Sequence, residues 1–279
     1  MGYKSILTIV TDPQLPAAQM DAAIALARRE DAHLDVLCLG IDRTQTGYYY
    51  AGATAVIHQE TFELARNEAA ETEAAVRARL GAEEVRWAVE TVVTQLATLT
   101  EPVAVQARFS DLVVLPKPYG GKDNHDLEAV LEAALFDGRS PVLVLPTATF
   151  DPTPPSRVVI AWNQSDESLI AIRAALPMLK AASTVNITVI DPPSHGPERS
   201  DPGGLLSQYL ARHGVKAEVS VLARTLPRVS EVLCRHARDI DADMIVMGGY
   251  GHSRFREAIL GGATRDMLEI AEIPVLMAH

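Results

Sequence analysis

Cysteine, basic residues and long hydrophobic runs are all scarce in this chain. The 279 residues include only Cys38 and Cys234, which lie far apart in apolar segments, so buried reduced thiols are favoured over a disulfide framework or a cysteine-rich metal site. Lys and Arg number 25 against 36 Asp and Glu, and the resulting net charge of -11 disfavours binding to nucleic acid or anionic membrane. The N-terminal segment MGYKSILTIVTDP is too short to span a membrane and lacks a signal-peptide cleavage pattern, so we expect a cytoplasmic protein.

One pattern of apolar segments occurs twice along the chain. Apolar segments near residues 5, 33, 110 and 140 are matched by segments near 156, 184, 242 and 273. The spacing of roughly 130 to 150 residues is too long for a solenoid and indicates two copies of one domain. A proline-rich stretch, PTATFDPTPPS, separates the copies. The sequence therefore predicts one domain over residues 1–147 and a second over residues 156–279.

Each copy alternates continuous apolar runs with amphipathic stretches. Such runs are typical of parallel strands that are covered on both faces, and the amphipathic stretches at 17–30, 58–80, 166–180 and 228–239 are predicted helices. The predicted fold is α/β, with two Rossmann-like domains that each form an open, mainly parallel five-stranded sheet with helices on both faces. Right-handed crossovers would join the strands.

Glycines interrupt the end of the second copy, in the segment GGYGHSRFREAILGGAT. This segment follows the predicted strand ADMIVM and leads into a predicted helix, at the place where open α/β sheets bind ligands. Two residues separate Gly248 from Gly251, and nine separate Gly251 from Gly261. Glycine lets a ligand approach backbone N–H groups, which attract phosphate at a helix start. The spacing predicts two turns that close on one chain of phosphates.

The same glycine segment resembles the nucleotide-binding members of the universal stress protein family. Their motif has Gly, two residues, Gly, nine residues, Gly, and then Ser or Thr, and the glycines of this chain are in register with it. The resemblance implies a tandem member of the family that binds ATP, or ADP or AMP, with magnesium as a further expected ligand. Gly262 stands where the family has Ser or Thr, so one hydroxyl contact to phosphate is missing, and Thr264 is a nearby substitute.

The resemblance also implies an adenosine pocket at the ends of the first two strands of the second copy. Ala161 matches a residue that lines the adenine, Asn163 stands where Asp is usual, and Ser165 keeps a small polar position. Val189 matches a position whose backbone meets the adenine edge, and Met247 precedes the first glycine. The complete predicted nucleotide site is Ala161, Asn163, Ser165, Val189, Met247, Gly248, Gly249, Gly251, Arg254, Gly261, Gly262, Ala263 and Thr264.

Simpler interpretations of these residues stay open. Asn163 is as well suited to capping the next helix as to touching a ligand, and Val189 and Met247 suit a strand core. Arg254 is suited to a solvated surface as well as to screening phosphate.

The first copy lacks the glycine motif. Its counterpart segment contains Pro116 and Pro118, which have no backbone N–H, and Glu132 and Ala133 replace the later glycine pair. We therefore expect a degenerate site in the N-terminal half. The resemblance implies that the halves pair through their last strands, PVLVL and PVLMA, and it allows a homodimer and a protein partner of unknown identity.

The resemblance implies a stress-response switch controlled by an adenine nucleotide bound in the C-terminal half. Two alternatives remain, a scaffold or oligomerisation module without nucleotide affinity and a slow ATPase. The dinucleotide-binding glycine pattern after the first strand of each copy and the Walker loop are both absent, and no catalytic residue is predicted.

Overall fold

The chain folds into two compact units. A computed structural model describes residues 2–14, 17–43, 54–119, 125–146, 153–192, 201–249 and 262–279. One unit comprises Tyr3–Ser140, and the other comprises Pro141–His279 together with the first two residues. The predicted domains, residues 1–147 and residues 156–279, stay a prediction.

The N-terminal unit has a parallel sheet with strand order β3-β2-β1-β4. Its strands are β1 (Ser5–Val10), β2 (His33–Asp42), β3 (Arg86–Gln95) and β4 (Leu112–Pro116). Its helices are α1 (Ala17–Glu30), α2 (Thr54–Leu80), α3 (Thr100–Ala107) and α4 (His125–Glu132), and a π-helical turn, Ala133–Asp137, continues α4. Strands β1 and β4 are almost wholly buried, as continuous apolar runs predict.

The C-terminal unit has six strands in the order β5-β10-β9-β6-β7-β8. The strands are β5 (Val142–Leu145), β6 (Arg157–Ala161), β7 (Thr184–Ile190), β8 (Ala217–Leu222), β9 (Met244–Gly248) and β10 (Val275–Ala278). The helices are α5 (Asp166–Ala181), α6 (Gly204–Arg212), α7 (Val229–Asp239) and α8 (Ala263–Ile270). Only β5 runs antiparallel to its neighbour in this described sheet, and it pairs with β10.

The predicted α/β fold class is confirmed. Helix α1 has the predicted bounds, and α5 and α7 differ from the predicted helices by one residue at an end. Helices α3 and α6 were not predicted individually. None of the helices in the described ranges is long and apolar enough to cross a membrane.

The strand order of the C-terminal unit reverses between β6 and β9. From β6 the chain builds outward through β7 and β8, and it then returns to place β9 on the other side of β6. In open α/β sheets, the carboxyl ends of the strands at such a reversal form a crevice that binds ligands. The ends of β6 and β9 therefore border the expected binding crevice.

Candidate functional site

A cavity of about 280 Å³ opens at this reversal point. Its walls come from the ends of β6, β7 and β9, from the segment before α5, and from the starts of α7 and α8. The described lining residues are Ala161, Trp162, Asn163, Ser165, Thr188, Ile190, Val229, Ser230, Leu233, Met247, Gly248, Ala263 and Thr264. The volume is near the lower end of the range for small-molecule sites, which suits a ring system with one attached sugar.

Many of the residues predicted from the sequence meet in this cavity. Those that line it are Ala161, Asn163, Ser165, Met247, Gly248, Ala263 and Thr264. Gly251, Arg254 and Gly261 lie outside the described residues. Val189 is buried in β7 between two lining residues, and its side chain points to the opposite face of the strand. A backbone contact from Val189 to a ligand stays a prediction.

The turn before α5 uses the polar side chains that precede the helix. Ser165 is the N-cap of α5, because its Oγ accepts a hydrogen bond from the Ser168 N–H over 3.2 Å. Asn163 is not the cap, and its Oδ1 instead accepts from the Ser165 N–H over 3.1 Å. The Asn163 side chain is held by this contact, and its amide NH₂ group is left to face solvent or a ligand.

The described glycines at the ends of the loop have local structural roles. The Gly249 N–H donates to the Ala278 carbonyl over 2.8 Å, so it is engaged in the sheet. Gly262 is the N-cap of α8 and provides no side-chain cap. A Ser or Thr at this position would supply an oxygen that this chain lacks.

Helix α7 forms a wall of the cavity that the sequence did not reveal. Val229, Ser230 and Leu233 line it from the first turns of this helix. The apolar stripe that includes Val229 and Leu233 predicts a buried face, but it does not say which residues of that face border a cavity. Arg228, the N-cap of α7, forms an ion pair with Asp266 of α8 over 3.2 Å and so links the two helices.

Two buried polar atoms of the lining have no hydrogen-bond partner among the described residues. They are Nε1 of Trp162 and Oγ of Ser230. Leaving such a group buried and unpaired costs about 1–3 kcal/mol, and most native proteins avoid it. The indole nitrogen can only donate, whereas the hydroxyl can both donate and accept. Both atoms belong to residues that line the cavity, and each atom is itself shielded from solvent.

Beneath the cavity lies a chain of polar side chains from β7, β8 and α7. Thr188 donates to Asn186 Oδ1 over 2.8 Å, Asn186 Nδ2 donates to Ser220 Oγ over 2.9 Å, and His236 Nε2 lies 3.0 Å from Asn186 Oδ1. Burial lowers the pKa of His236, with a smaller opposing effect from Asp239. The imidazole is therefore held in its neutral form near neutral pH.

The described lining is electrically neutral. Its thirteen residues include no ionisable Asp, Glu, Lys, Arg or His side chain. The described parts of the chain also contain no group of three or more His, Cys, Asp or Glu side chains placed to hold a metal ion. This part of the cavity is suited to a neutral moiety, and a charged group of the same ligand would have to lie beyond it.

The N-terminal unit has an ion pair near the ends of its own strands. Arg43 follows β2, and its guanidinium donates to the Asp126 carboxylate in the first turn of α4 over 2.8 Å. The Asp126 side chain is only 8% exposed. A second polar contact joins α1 to β1: the buried Gln19 side chain of α1 donates to Thr8 Oγ1 and to the Ile9 carbonyl, each over 2.8 Å. A buried carboxylate at a helix start is unfavourable for phosphate there.

The half of the chain that carries the cavity matches a known protein family. Residues 155–279 match the model of the universal stress protein family. The C-terminal half of this chain is a universal stress protein domain. The resemblance stated from the glycine motif is thereby confirmed at the level of the family.

Individual relatives of this universal stress protein domain agree with the family match. A universal stress protein from Synechocystis is 30% identical over 123 residues, which are 43% of this chain and 42% of that protein. The aligned region thus spans less than half the length of that curated relative.

Two crystal structures share the fold over nearly the whole chain. A universal stress protein from Archaeoglobus fulgidus superimposes with a TM-score of 0.64 at 15% identity, covering 98% of this chain and 95% of the other. A Pseudomonas aeruginosa protein described as a candidate member of the family gives 0.58 at 16% identity, covering 99% and 93%. At these identities the likeness establishes the fold alone.

Proposed function

We propose that the C-terminal domain binds ATP or a related adenine nucleotide in the cavity at the ends of β6, β7 and β9. Nucleotide binding would act as a stress-response switch that a protein partner reads. The observation that carries this proposal is an uncharged cavity at the point where the strand order reverses, lined by apolar side chains and by several polar ones such as Asn163 and Thr264. Adenine and ribose are uncharged and offer both apolar faces and polar atoms to such a lining.

The neutral lining supports a nucleoside as the part of the ligand that enters the cavity. Met247, Leu233 and Ile190 provide apolar surface, and the Asn163 amide is placed at the rim. A base with its ribose gains from such surroundings because it carries no charge that must be desolvated.

The phosphates would extend toward the predicted glycine turns. Gly248 and Ala263 both line the cavity, and the glycine segment connects them along the chain. Backbone N–H groups of such turns suit phosphate oxygens. We expect magnesium to be held through the phosphates, because no carboxylate lines the described cavity.

The N-terminal half is proposed to bind no nucleotide. The Arg43–Asp126 pair supports this, since Asp126 would place a buried carboxylate close to the phosphates. One nucleotide per chain is therefore expected. The cytoplasmic location, the pairing of the two halves, a homodimer and the identity of the partner stay predictions.

The proposed switch acts through the elements that meet around the cavity. A bound nucleotide would bridge the starts of α7 and α8 and the turn before α5. Hydrolysis is expected to be slow, because the described lining offers no ionisable side chain as a general base.

The test is to identify nucleotides that the purified protein carries. The protein would be prepared without added nucleotide, denatured, and its released nucleotides separated by chromatography. The double variant Gly251→Val/Gly261→Val would be treated in parallel, with Gly120→Val/Gly121→Val in the N-terminal half as the matched control. Adenine nucleotide near one per chain in the wild type and control, and its loss in the first variant, would support the proposal. Absence of nucleotide from all three, followed by no binding of added ATP with magnesium, would leave the scaffold alternative.

A further inference from the structure

The polar chain beneath the cavity fixes the hydrogen-bonding character of Thr188. Asn186 and Thr188 lie two residues apart on β7, so their side chains share one face of the strand. Ser220 of β8 and His236 of α7 complete the cluster. Thr188 is only 1% exposed, and it is also part of the cavity lining. Thr188 therefore belongs both to the buried cluster and to the lining of the cavity.

The donors and acceptors of this cluster follow from the orientation of the Asn186 amide. The Asn186 Nδ2 donates to Ser220 Oγ, which leaves Oδ1 as the atom that faces Thr188 and His236. A carbonyl oxygen can only accept, so His236 carries its proton on Nε2 and Thr188 gives its single hydroxyl proton to Asn186. With that proton engaged, the Thr188 oxygen can only accept a hydrogen bond from a ligand.

The position of Thr188 indicates which part of a nucleotide it would meet. The phosphates are expected toward the glycine segment, so the base would enter the cavity first and reach the buried floor. The only hydrogen-bond donor on the ring system of adenine is its exocyclic 6-amino group. A 6-oxopurine instead presents an oxygen acceptor at that position, which would face the acceptor-only oxygen of Thr188.

We propose that Thr188, with its hydroxyl proton held by Asn186, selects 6-aminopurine nucleotides over 6-oxopurine nucleotides. Thr188 is the specificity-determining contact, and Asn186 is a positioning residue that acts through it. This inference rests on the proposed function of the same cavity. A site built to pair with one donor rejects an analogue without it, because the buried acceptor is then left unpaired.

The experiment compares binding of ATP and inosine triphosphate by isothermal titration calorimetry with magnesium. The two ligands differ only in the amino group against the oxygen at position 6 and in the proton on N1. The wild type is expected to bind ATP at least about tenfold more tightly than inosine triphosphate, which is the effect of one well-formed hydrogen bond. Thr188→Val keeps the shape of the side chain and removes the acceptor, so this preference should disappear.

Three further variants separate selection from general damage to the fold. Thr188→Ser keeps the hydroxyl and should keep the preference, whereas Asn186→Leu frees the Thr188 proton and should reduce the preference by tightening the binding of inosine triphosphate. Thr184→Val removes a threonine hydroxyl at the start of the same strand, outside the lining, and should change neither affinity. Thermal unfolding of each variant checks that it is folded.

The outcomes distinguish this inference from the function on which it rests. Equal wild-type affinity for the two nucleotides, or a preference that survives in Thr188→Val, would overturn the role of Thr188 and leave nucleotide binding intact. If the wild type binds neither nucleotide, the proposed function fails and the inference fails with it.

Discussion

The backbone of Gly248 lies so close to Ser168 that a β-carbon at Gly248 would stand 2.6 Å from the Ser168 nitrogen. The same carbon would lie 2.9 Å from the carbonyl carbon of Glu167, so the start of α5 packs directly on the end of β9. Real β-carbons do not approach backbone atoms this closely. The first glycine of the motif is thus required by the packing of a helix on a strand, whatever contact it makes with a ligand.

Gly248→Ala is therefore expected to destabilise the C-terminal unit by about 1–3 kcal/mol, the usual cost of forcing extra volume into a packed site. Denaturant unfolding followed by circular dichroism measures the change. Ala88→Val adds volume at an exposed position of β3 and should shift stability by no more than about 0.5 kcal/mol. Equal stability of Gly248→Ala and the wild type would mean that α5 does not pack as described.

Cys38 is expected to be unreactive in the folded protein. It is fully buried, and burial, with a further effect from Glu73, raises the pKa of its thiol to about 12, so almost no thiolate is present at pH 8. A Cys234→Ser variant isolates this thiol for titration with a disulfide reagent. We expect no labelling of the folded variant and one thiol per chain after unfolding. Rapid labelling without denaturant would contradict the burial of β2.

Stability should fall as the pH decreases below 6.5, partly because of His236. Burial holds the pKa of His236 below its ordinary value of 6.5, so the unfolded chain binds a proton that the folded chain resists. Stability then rises with pH in this range, and the contribution is complete above the unfolded pKa. Denaturant unfolding between pH 5 and pH 8 measures the slope.

The variant His236→Gln should reduce that pH dependence between pH 5 and 7. His213→Gln serves as the control for loss of one imidazole elsewhere in the same unit. An unchanged slope in His236→Gln would show that this histidine does not titrate differently on folding.

The strands and most helices could be predicted because their signals are local. The run HLDVLCLGID is apolar enough to predict the strand that the structure places at His33–Asp42. The partner of β5 could not be predicted from local signals, because its antiparallel pairing with β10 joins segments more than 130 residues apart. Periodicity within a segment carries no information on such a contact, and only the family resemblance suggested it.

The sequence predicts residues of the cavity lining where a motif exists and misses those whose place depends on tertiary contacts. The spacing of glycines led to Gly248 and Ala263, and the ends of the strands led to Ala161 and Asn163. Ser230 had no such signal, because its place in the lining depends on how α7 packs. Strand alternation could have indicated Thr188 beside Val189, since neighbouring residues of a strand point to opposite faces.

The most direct test of the account is calorimetric titration of ATP with magnesium into the wild type and into Ala161→Leu. The larger side chain would fill the cavity at the end of β6, whereas Ala88→Leu, at an exposed position of β3, is the matched control. We predict one binding site per chain in the wild type and in the control. The folded Ala161→Leu variant should bind ATP at least about tenfold more weakly. No binding by the wild type, or equal binding by Ala161→Leu, would contradict the assignment of this cavity as the nucleotide site.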